Sequence, residues 1–330
     1  MKNAVMVLLC LVPLLSFGQQ PVKIILDTDM DSDVDDVGAL SMLHSLASAG
    51  EADILAVMVS SLNPWSAPAV DVLNTYFGRP GIPIGNVKRF GVYHPSRYAR
   101  MLAETFPQQV GSGEKAPEAT GLYRQILARQ PDHSVVIVTI GDLTNVARLL
   151  SSAPDTISSL SGEALVAKKV KHLVAMGGRY PVELDAWPNG NFKPDPASTR
   201  QVVSQWPTKI IFTGGGVFAN AIPTGKIYFE SAQEKTPMRR AYETFLVGWN
   251  RNYHHSADMI AVYVAVRGPE PYFKIQEQGT NHIFENGTTV WRMEPDDKRH
   301  ALVNEFAEGV DPLEVARKFD ELLIKKGVGK

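Results

Sequence analysis

Short apolar runs alternate with segments of helical periodicity along the chain. Val22–Leu26 is nearly all apolar and rich in β-branched residues, as in a strand buried on both faces. Apolar residues then recur at helical spacing from Val37 to Leu46, and Gly50 ends that pattern. The same criteria predict strands at 54–59, 135–140, 170–176 and 209–213, and helices at 67–77, 121–129, 143–150, 196–205 and 256–266. Strands that alternate with helices predict an α/β fold with a doubly wound, mostly parallel sheet, in a single domain that covers residues 19–330.

The first 18 residues differ from the rest. Met1-Lys2-Asn3 gives a positive start, residues 4–17 are almost all apolar, and Ser16-Phe17-Gly18 has small residues at the spacing that a signal peptidase requires. The apolar run is shorter than the about 20 residues of a membrane-spanning helix. We therefore expect a signal peptide at 1–18 and an exported protein, periplasmic or secreted, with no membrane attachment after cleavage. The single cysteine, Cys10, lies in this segment, so the mature chain has no thiol for catalysis or disulfides.

The composition is that of a globular protein. Of the 330 residues, 44% are hydrophobic and 21% are charged, and the formal net charge is -2. Proteins that bind nucleic acid polymers usually carry a basic patch or stripe. No block rich in lysine or arginine is present, so a nucleic acid polymer is not expected as a partner.

Four predicted strands end in polar or glycine-rich turns. These turns are Asp27-Thr28-Asp29, Ile140-Gly141-Asp142, Met176-Gly177-Gly178 and Thr213-Gly214-Gly215-Gly216. Open α/β sheets bind their ligands outside the carboxyl ends of the strands. Together the four turns therefore outline a predicted site.

The first of these turns opens an acidic run. Six carboxylates occupy ten residues, and they are Asp27, Asp29, Asp31, Asp33, Asp35 and Asp36. Two unit charges 4 Å apart repel by about 4 kcal/mol at an effective dielectric of 20. The N-terminus of the following helix offsets only about 0.3–1 kcal/mol per carboxylate. The run therefore predicts a hard divalent cation with oxygen ligands, calcium first and magnesium second.

Two other interpretations of the acidic run are weaker. In one, it is a solvated loop in which Ser32 or Asp33 is an ordinary helix N-cap, but a solvated loop has no reason to follow a core strand. The other is an EF-hand that begins at Asp29. An EF-hand loop needs a glycine where Val34 stands and a glutamate where Leu40 stands, so this pattern does not fit.

The acidic run resembles the signature of the inosine-uridine-type nucleoside hydrolases, which is a strand, Asp-x-Asp, a short turn, Asp-Asp and a helix. Asp27, Asp29, Asp35 and Asp36 match this signature. The resemblance extends over nearly the whole mature chain. Asn63 follows the second strand, and Ile140-Gly141-Asp142-Leu143-Thr144-Asn145 matches a Gly-Pro-Leu-Thr-Asn turn of the family. The remaining matches are Met176-Gly177-Gly178, Asn191 ahead of Asp195-Pro196, and Asp258 at the start of a helix.

This resemblance implies a Rossmann-like sheet of the nucleoside hydrolase type and an N-glycosyl hydrolase that splits small ribonucleosides into ribose and free base, as in purine or pyrimidine salvage. Calcium would be held by Asp29, Asp36, the Ile140 carbonyl and Asp258, and would bind the ribose 2′- and 3′-hydroxyls. Asp29 would deprotonate a calcium-bound water that attacks the anomeric carbon. The ribose would contact Asp35, Asn63 and Asn191, with Asn189 nearby, and Asp27 would orient its neighbours from behind the ligands. A homo-oligomer, dimer or tetramer, stays open.

The chain departs from the family pattern at three points. The acidic turn is two residues longer than usual, so Asp31 and Asp33 have no family counterpart, and Asp33 is an alternative to Asp35 in the site. The family's histidine before the C-terminal aspartate is Ala257 here, and a usual glutamate before the ribose asparagine is Asn189. The proton donor to the departing base is therefore open. The candidates are His254, His255, Trp249 and Tyr253, with Trp65 and Trp187 as stacking partners.

Two rival functions remain. One is a phosphatase of the haloacid-dehalogenase type, which also opens its site with a strand and Asp-x-Asp, uses Mg²⁺ and would have Asp27 as its nucleophile. It would require threonine or valine where Asp31 stands, and it gives no role to Asn191 or Asp258. The other is a non-catalytic, calcium-dependent ribose- or nucleoside-binding protein, which the missing histidine favours. Release of free base from inosine or uridine separates the three functions.

Overall fold

We analysed a computed structural model of the chain, which describes residues 20–180, 190–230, 236–294 and 296–324. The predicted signal peptide, Trp187 and Asn189 lie outside these ranges. None of the helices in the described ranges has the length and apolar character that crossing a membrane requires.

Eight strands form the main sheet, in the order β3-β2-β1-β4-β5-β6-β10-β7. All neighbours are parallel except the edge pair β10 and β7. The strands are β1 (Val22–Thr28), β2 (Ala52–Val59), β3 (Ile84–Asn86), β4 (Val135–Thr139), β5 (Val170–Met176), β6 (Lys209–Thr213), β7 (Phe273–Gln276) and β10 (His300–Phe306), and a separate hairpin pairs β8 (Thr280–Ile283) with β9 (Thr289–Arg292). The predicted mostly parallel sheet is therefore confirmed.

Twelve α-helices lie among the described residues. They are α1 (Asp35–Ser48), α2 (Ser66–Tyr76), α3 (Ala99–Thr105), α4 (Ala119–Ala128), α5 (Thr144–Ser151), α6 (Gly162–Lys169), α7 (Pro196–Gln205), α8 (Gly216–Asn220), α9 (Ile227–Glu230), α10 (Pro237–Leu246), α11 (Ala257–Arg267) and α12 (Pro312–Leu323). Two apolar cores hold them to the sheet. One contains residues of α1, α2, α11 and α12, and the other contains residues of α4, α5, α6 and α7. Two cores separated by one sheet make the fold doubly wound.

The strand order reverses between β1 and β4. From β1 the chain moves outward through β2 and β3, and it then returns to build β4, β5 and β6 on the other side of β1. The register keeps the carboxyl ends of these strands level, since Asp27 pairs with Thr139 and Met176 pairs with Thr213. A reversal of this kind opens a crevice at the strand ends, where α/β proteins bind ligands. The four turns singled out in the sequence follow the adjacent strands β1, β4, β5 and β6.

Candidate active site

A cavity of about 330 Å³ lies at this crevice. Its walls come from the turns after β1, β4, β5 and β6 and from the start of α11. Residues predicted from the sequence that line it are Asp29, Asp35, Asp36, Ile140, Asn191, His255 and Asp258. Asp33, the alternative to Asp35, lines it too, as do His94, Arg179 and Asn220, which had no predicted role. The structure thus brings most of the predicted site together from segments more than 200 residues apart in the chain.

The turn between β1 and α1 is held by hydrogen bonds to its own carboxylates. Met30 has a positive φ of 49°, which is uncommon for a residue with a side chain. Its backbone N–H donates to Asp36 Oδ1 at 3.2 Å, and the Thr28 hydroxyl donates to the same oxygen. Asp35 Oδ2 accepts from the backbone N–H of Asp258 at 3.2 Å. This bond ties the first turn of α1 to the first turn of α11.

Four carboxylates converge where these two helices begin. Asp33, Asp35, Asp36 and Asp258 each place an oxygen within 4.8 Å of the others. At that separation each ionised pair repels by roughly 3.5 kcal/mol at an effective dielectric of 20. Six pairs together would exceed the stability of an ordinary domain, about 5–15 kcal/mol. The cluster therefore requires either protons or a cation.

Burial and the repulsion among these carboxylates also shift their pKa values. Burial, followed by repulsion from neighbouring carboxylates, raises the pKa of Asp35, Asp36 and Asp258 well above the usual value. Burial and the charges of Asp142 and Asp33 raise the pKa of Asp29 to about 7. Asp33 is the exception. Burial raises its pKa, but hydrogen bonds from Asp35, His254 and His255 outweigh this effect and hold the pKa well below normal.

A hard divalent cation fits these donors. All four clustered side chains offer carboxylate oxygens, which calcium and magnesium prefer. Asp29 lines the same cavity, and its buried Oδ1 has no hydrogen-bond donor among the described residues. The four-carboxylate cluster contains Asp33, which the sequence analysis held only as an alternative, and does not contain Asp29. The longer acidic turn thus brings one additional carboxylate into the site.

The turn after β4 approaches the turn after β1 so closely that only glycine fits between them. A Cβ on Gly141 would lie 2.5 Å from the backbone nitrogen of Asp29 and 2.5 Å from Ser60 Oγ. This approach carries Ile140 to the cavity wall, and its carbonyl accepts a hydrogen bond from Asn191 Nδ2 at 2.8 Å. The predicted metal-binding carbonyl and the predicted ribose-binding amide are therefore in contact.

Two predicted residues lie behind the cavity wall. Asp27 accepts hydrogen bonds from the Tyr123 hydroxyl at 2.8 Å and from Asn145 Nδ2 at 3.0 Å, and burial raises its pKa to about 7. Asn63 does not line the cavity. Its Nδ2 donates to the His94 carbonyl at 3.1 Å, and its Oδ1 accepts from the Trp65 N–H at 3.1 Å. The ribose contact of Asn63 stays a prediction, and the contacts in the structure fix the loop that carries His94.

The leaving-group candidates have different positions. His255 lines the cavity, and its Nε2 lies 3.4 Å from both Asp33 Oδ2 and Asp35 Oδ2. Burial lowers the pKa of His255, but these carboxylates outweigh it and raise the pKa to about 9. His254 is buried, and its Nδ1 contacts Arg251 Nη2 at 3.0 Å.

The aromatic candidates lie away from the cavity wall. Trp249 and Tyr253 are exposed, and neither lines the cavity. Trp65 does not line it either, and the Arg100 guanidinium lies 5.5 Å from its ring centre. Among the described aromatic candidates, His255 is therefore the only one at the cavity.

Sequence reasoning missed His94 and Asp142. His94 lines the cavity from the loop between β3 and α3, and its Nε2 lies 3.4 Å from Asp142 Oδ2. The Asp142 carboxylate raises the pKa of His94 above its usual value, against the opposing effect of burial. No motif surrounds His94 in the sequence. Asp142 could have been noticed in the sequence, because it stands where the Gly-Pro-Leu-Thr-Asn turn of the family has its proline.

A cavity of carboxylates and amides at the reversal point of a doubly wound sheet is suited to a small polar ligand held through a hard cation. The sequence model of the inosine-uridine preferring nucleoside hydrolase family matches residues 24–321. The chain therefore belongs to this metal-dependent family, whose substrates are small nucleosides, and it is an N-glycosyl hydrolase. The family resemblance found in the sequence is confirmed. No curated protein matches the chain.

Solved structures share the fold at low sequence identity. An inosine-uridine preferring nucleoside hydrolase from Bacillus anthracis is 18% identical, with a TM-score of 0.66 over 92% of this chain and 99% of that one. A purine-preferring ribonucleoside hydrolase from Gardnerella vaginalis is 16% identical, with a TM-score of 0.69 over 93% and 100%. The type III effector protein XopQ, complexed with adenosine diphosphate ribose, is 17% identical, with a TM-score of 0.62 over 94% and 96%.

Proposed function

We propose that this protein hydrolyses the N-glycosidic bond of ribonucleosides with the help of a calcium ion at the carboxylate cluster. The observation that supports this proposal is the convergence of Asp33, Asp35, Asp36 and Asp258 within 4.8 Å at the carboxyl end of β1. Four such groups suit calcium, which takes six to eight oxygen ligands, better than magnesium, which usually binds through one or two carboxylates. Asp29 and the Ile140 carbonyl line the same cavity and would complete the ligands.

A bound calcium ion would fix the ribose hydroxyls and make a water molecule more acidic. Asp29 takes the proton of the attacking water, because it is the cavity carboxylate outside the four-carboxylate cluster and its buried Oδ1 has no hydrogen-bond donor among the described residues. Asp35 and Asn191 hold ribose hydroxyls from two sides of the cavity, which confers a preference for ribose over deoxyribose. The sugar then passes through an oxocarbenium-like state that the surrounding carboxylates stabilise.

Base release tests this proposal directly. The purified protein, incubated with inosine or uridine and calcium, should release hypoxanthine or uracil. EGTA should abolish release, and added calcium should restore it. Asp29→Ala should lose activity, while the matched control Asp53→Ala, at a half-exposed surface aspartate, should retain it. Full turnover in thoroughly stripped protein, or wild-type turnover by Asp29→Ala, would contradict the mechanism.

One rival function is kept as an outcome of the same assay. Ala257 lines the cavity where many family members have a histidine, which is why the sequence analysis kept a protein that binds ribose without cleaving it as an alternative. The XopQ structure shows that a related fold can hold a ribose-containing nucleotide. Calcium-dependent binding of inosine without any base release would establish that function. The family match leaves no place for the phosphatase alternative.

We also propose that the protein acts outside the cytoplasm, because residues 1–18 have the pattern of a signal peptide. Mass spectrometry of the protein recovered from its native cells should give a mature N-terminus at Gln19. An intact Met1 on protein recovered from the cytoplasm would contradict this proposal.

A further inference from the structure

A buried carboxylate faces a histidine at the cavity wall. Asp142 is 1% exposed and lies in the turn after β4, just before α5 begins. Neither of its carboxylate oxygens has a hydrogen bond from the described residues, and the charged group that approaches it is His94, at 3.4 Å. A buried carboxylate without donors is costly unless a cation accompanies it. The approach of His94 Nε2 to Asp142 Oδ2 therefore fixes one edge of the imidazole ring against this carboxylate.

His94 is held in place from its backbone side as well. Its carbonyl accepts the hydrogen bond from Asn63, and Asn63 is itself buried and anchored to the start of α2 through the Trp65 N–H. The loop is thus fixed at one side by an amide and at the other by the Asp142 carboxylate. A ring held in this way at a cavity wall is preorganised rather than mobile.

The other cavity histidine is engaged differently. The Nε2 of His255 lies 3.4 Å from both Asp33 and Asp35, two members of the carboxylate cluster, so its ring is engaged at the end of the cavity where the cation and the ribose hydroxyls would lie. The partner of His94, Asp142, does not belong to that cluster. His94 is therefore the cavity histidine that lies outside the carboxylate cluster and can donate a proton to the base rather than contact the sugar.

We propose that His94 is a catalytic residue that protonates the departing base, and that Asp142 is a positioning residue that holds its ring. This inference rests on the proposed nucleoside hydrolysis. As the N-glycosidic bond breaks, its electron pair passes to the base, and His94 donates the proton of the ring nitrogen that does not face Asp142. The attacking water supplies the new bond to the anomeric carbon, and its proton goes to Asp29. His94 is left neutral, with its remaining N–H directed at Asp142, and regains a proton from solvent.

The test compares two substrates with different leaving groups. Hypoxanthine needs a proton to leave from inosine, whereas p-nitrophenolate leaves from p-nitrophenyl riboside without one. In the calcium-loaded protein, His94→Gln should lower kcat on inosine by about 10²–10⁴-fold and leave kcat on p-nitrophenyl riboside within about threefold of wild type. Asp142→Asn should show the same selectivity with a smaller loss. Matched controls are His133→Gln and Asp53→Asn, both at the surface and away from the cavity.

Loss of His94 alone leaves the Asp142 carboxylate buried without its cation, which can unfold the protein. The double variant His94→Gln/Asp142→Asn avoids this, because both side chains are then neutral amides, and it should reproduce the substrate selectivity of His94→Gln. Equal effects on both substrates, or none on either, in the folded double variant would overturn this inference alone. If the wild-type protein released neither hypoxanthine from inosine nor p-nitrophenolate from p-nitrophenyl riboside, the proposed function itself would be overturned, and this inference with it.

Discussion

Removal of the metal should make the stability of this protein fall as the pH rises. Asp29, Asp35, Asp36 and Asp258 are buried, and in the metal-free protein their pKa values are raised, to about 7 for Asp29. A carboxyl group whose pKa is higher in the folded state binds protons more tightly there than in the unfolded chain. Its contribution to stability is complete below the unfolded value of 3.8 and is lost as the pH rises through about 7.

The magnitude follows from the two pKa values of Asp29. A rise from 3.8 to about 7 corresponds to roughly 4 kcal/mol of differential interaction between the protonated and ionised forms. Loss of that amount would lower the Tm by roughly 6 °C in a chain of this size, at about 2.1 cal/mol/K of unfolding entropy per residue. Asp27, whose pKa is also raised to about 7, adds to the effect in the same direction. Bound calcium reverses this dependence, because it stabilises the ionised carboxylates and binds more tightly as they lose their protons.

The assay is thermal unfolding between pH 5 and pH 8, once in EGTA and once in excess calcium. In EGTA the Tm should decrease over this range, and in calcium it should stay level or increase. Asp29→Asn, which cannot ionise, should reduce the slope in EGTA, whereas the exposed control Asp53→Asn should leave the slope unchanged. A Tm in EGTA that is flat or increases from pH 5 to pH 8 would refute the electrostatic reasoning about the site.

Three further substitutions probe separate parts of the site. Asp33→Asn should weaken calcium binding at least about tenfold by titration calorimetry, since Asp33 belongs to the four-carboxylate cluster, and an unchanged Kd would exclude it as a ligand. Asn191→Ala should raise the KM for inosine by about 3–10-fold at unchanged calcium affinity, as expected for one lost hydrogen bond, and an unchanged KM would exclude a ribose contact. Gly141→Ala should destabilise the protein by about 1–3 kcal/mol and reduce turnover, because its Cβ would overlap the Asp29 backbone, while Gly81→Ala, which has open space, should do neither.

The central part of the fold could be predicted because its strands are buried on both faces. Such strands are continuous apolar runs, and the runs predicted at 170–176 and 209–213 coincide with β5 and β6. The outer elements escaped prediction for the opposite reason. β7 is an edge strand of four residues, and β8 and β9 form a short, half-exposed hairpin, so none of them has a long apolar pattern. The strand β10 was missed as well, because its second half is only partly buried and its apolar and polar residues do not alternate regularly.

The site could be predicted where its residues follow strands directly. Asp29 and Ile140 were found in this way, because a strand end fixes where the next residues lie. Asn191 lies 15 residues beyond the end of β5 and was found only through the family resemblance. His94 was not, since it comes from a loop whose path depends on tertiary contacts such as that with Asn63. The placement of Asp33 depended on the shape of a turn two residues longer than its relatives have. Positions of this kind are decided by packing between distant segments, which a single sequence does not reveal.

The hydrogen bond between Asp258 and Asp35 spans 223 residues of chain, and it has a consequence for how the protein matures. The cation site needs the first turn of α1 and the first turn of α11 together, so it does not exist until the ribosome has released nearly the whole chain and α11 has packed beside β5. Truncated or half-folded chains would lack the complete carboxylate group and would hold calcium weakly. We therefore expect the metal to bind late in folding, after α1 and α11 have packed together. If the protein is exported unfolded, as the proposed signal peptide implies, the proposed calcium ion would bind only after the chain has crossed the membrane.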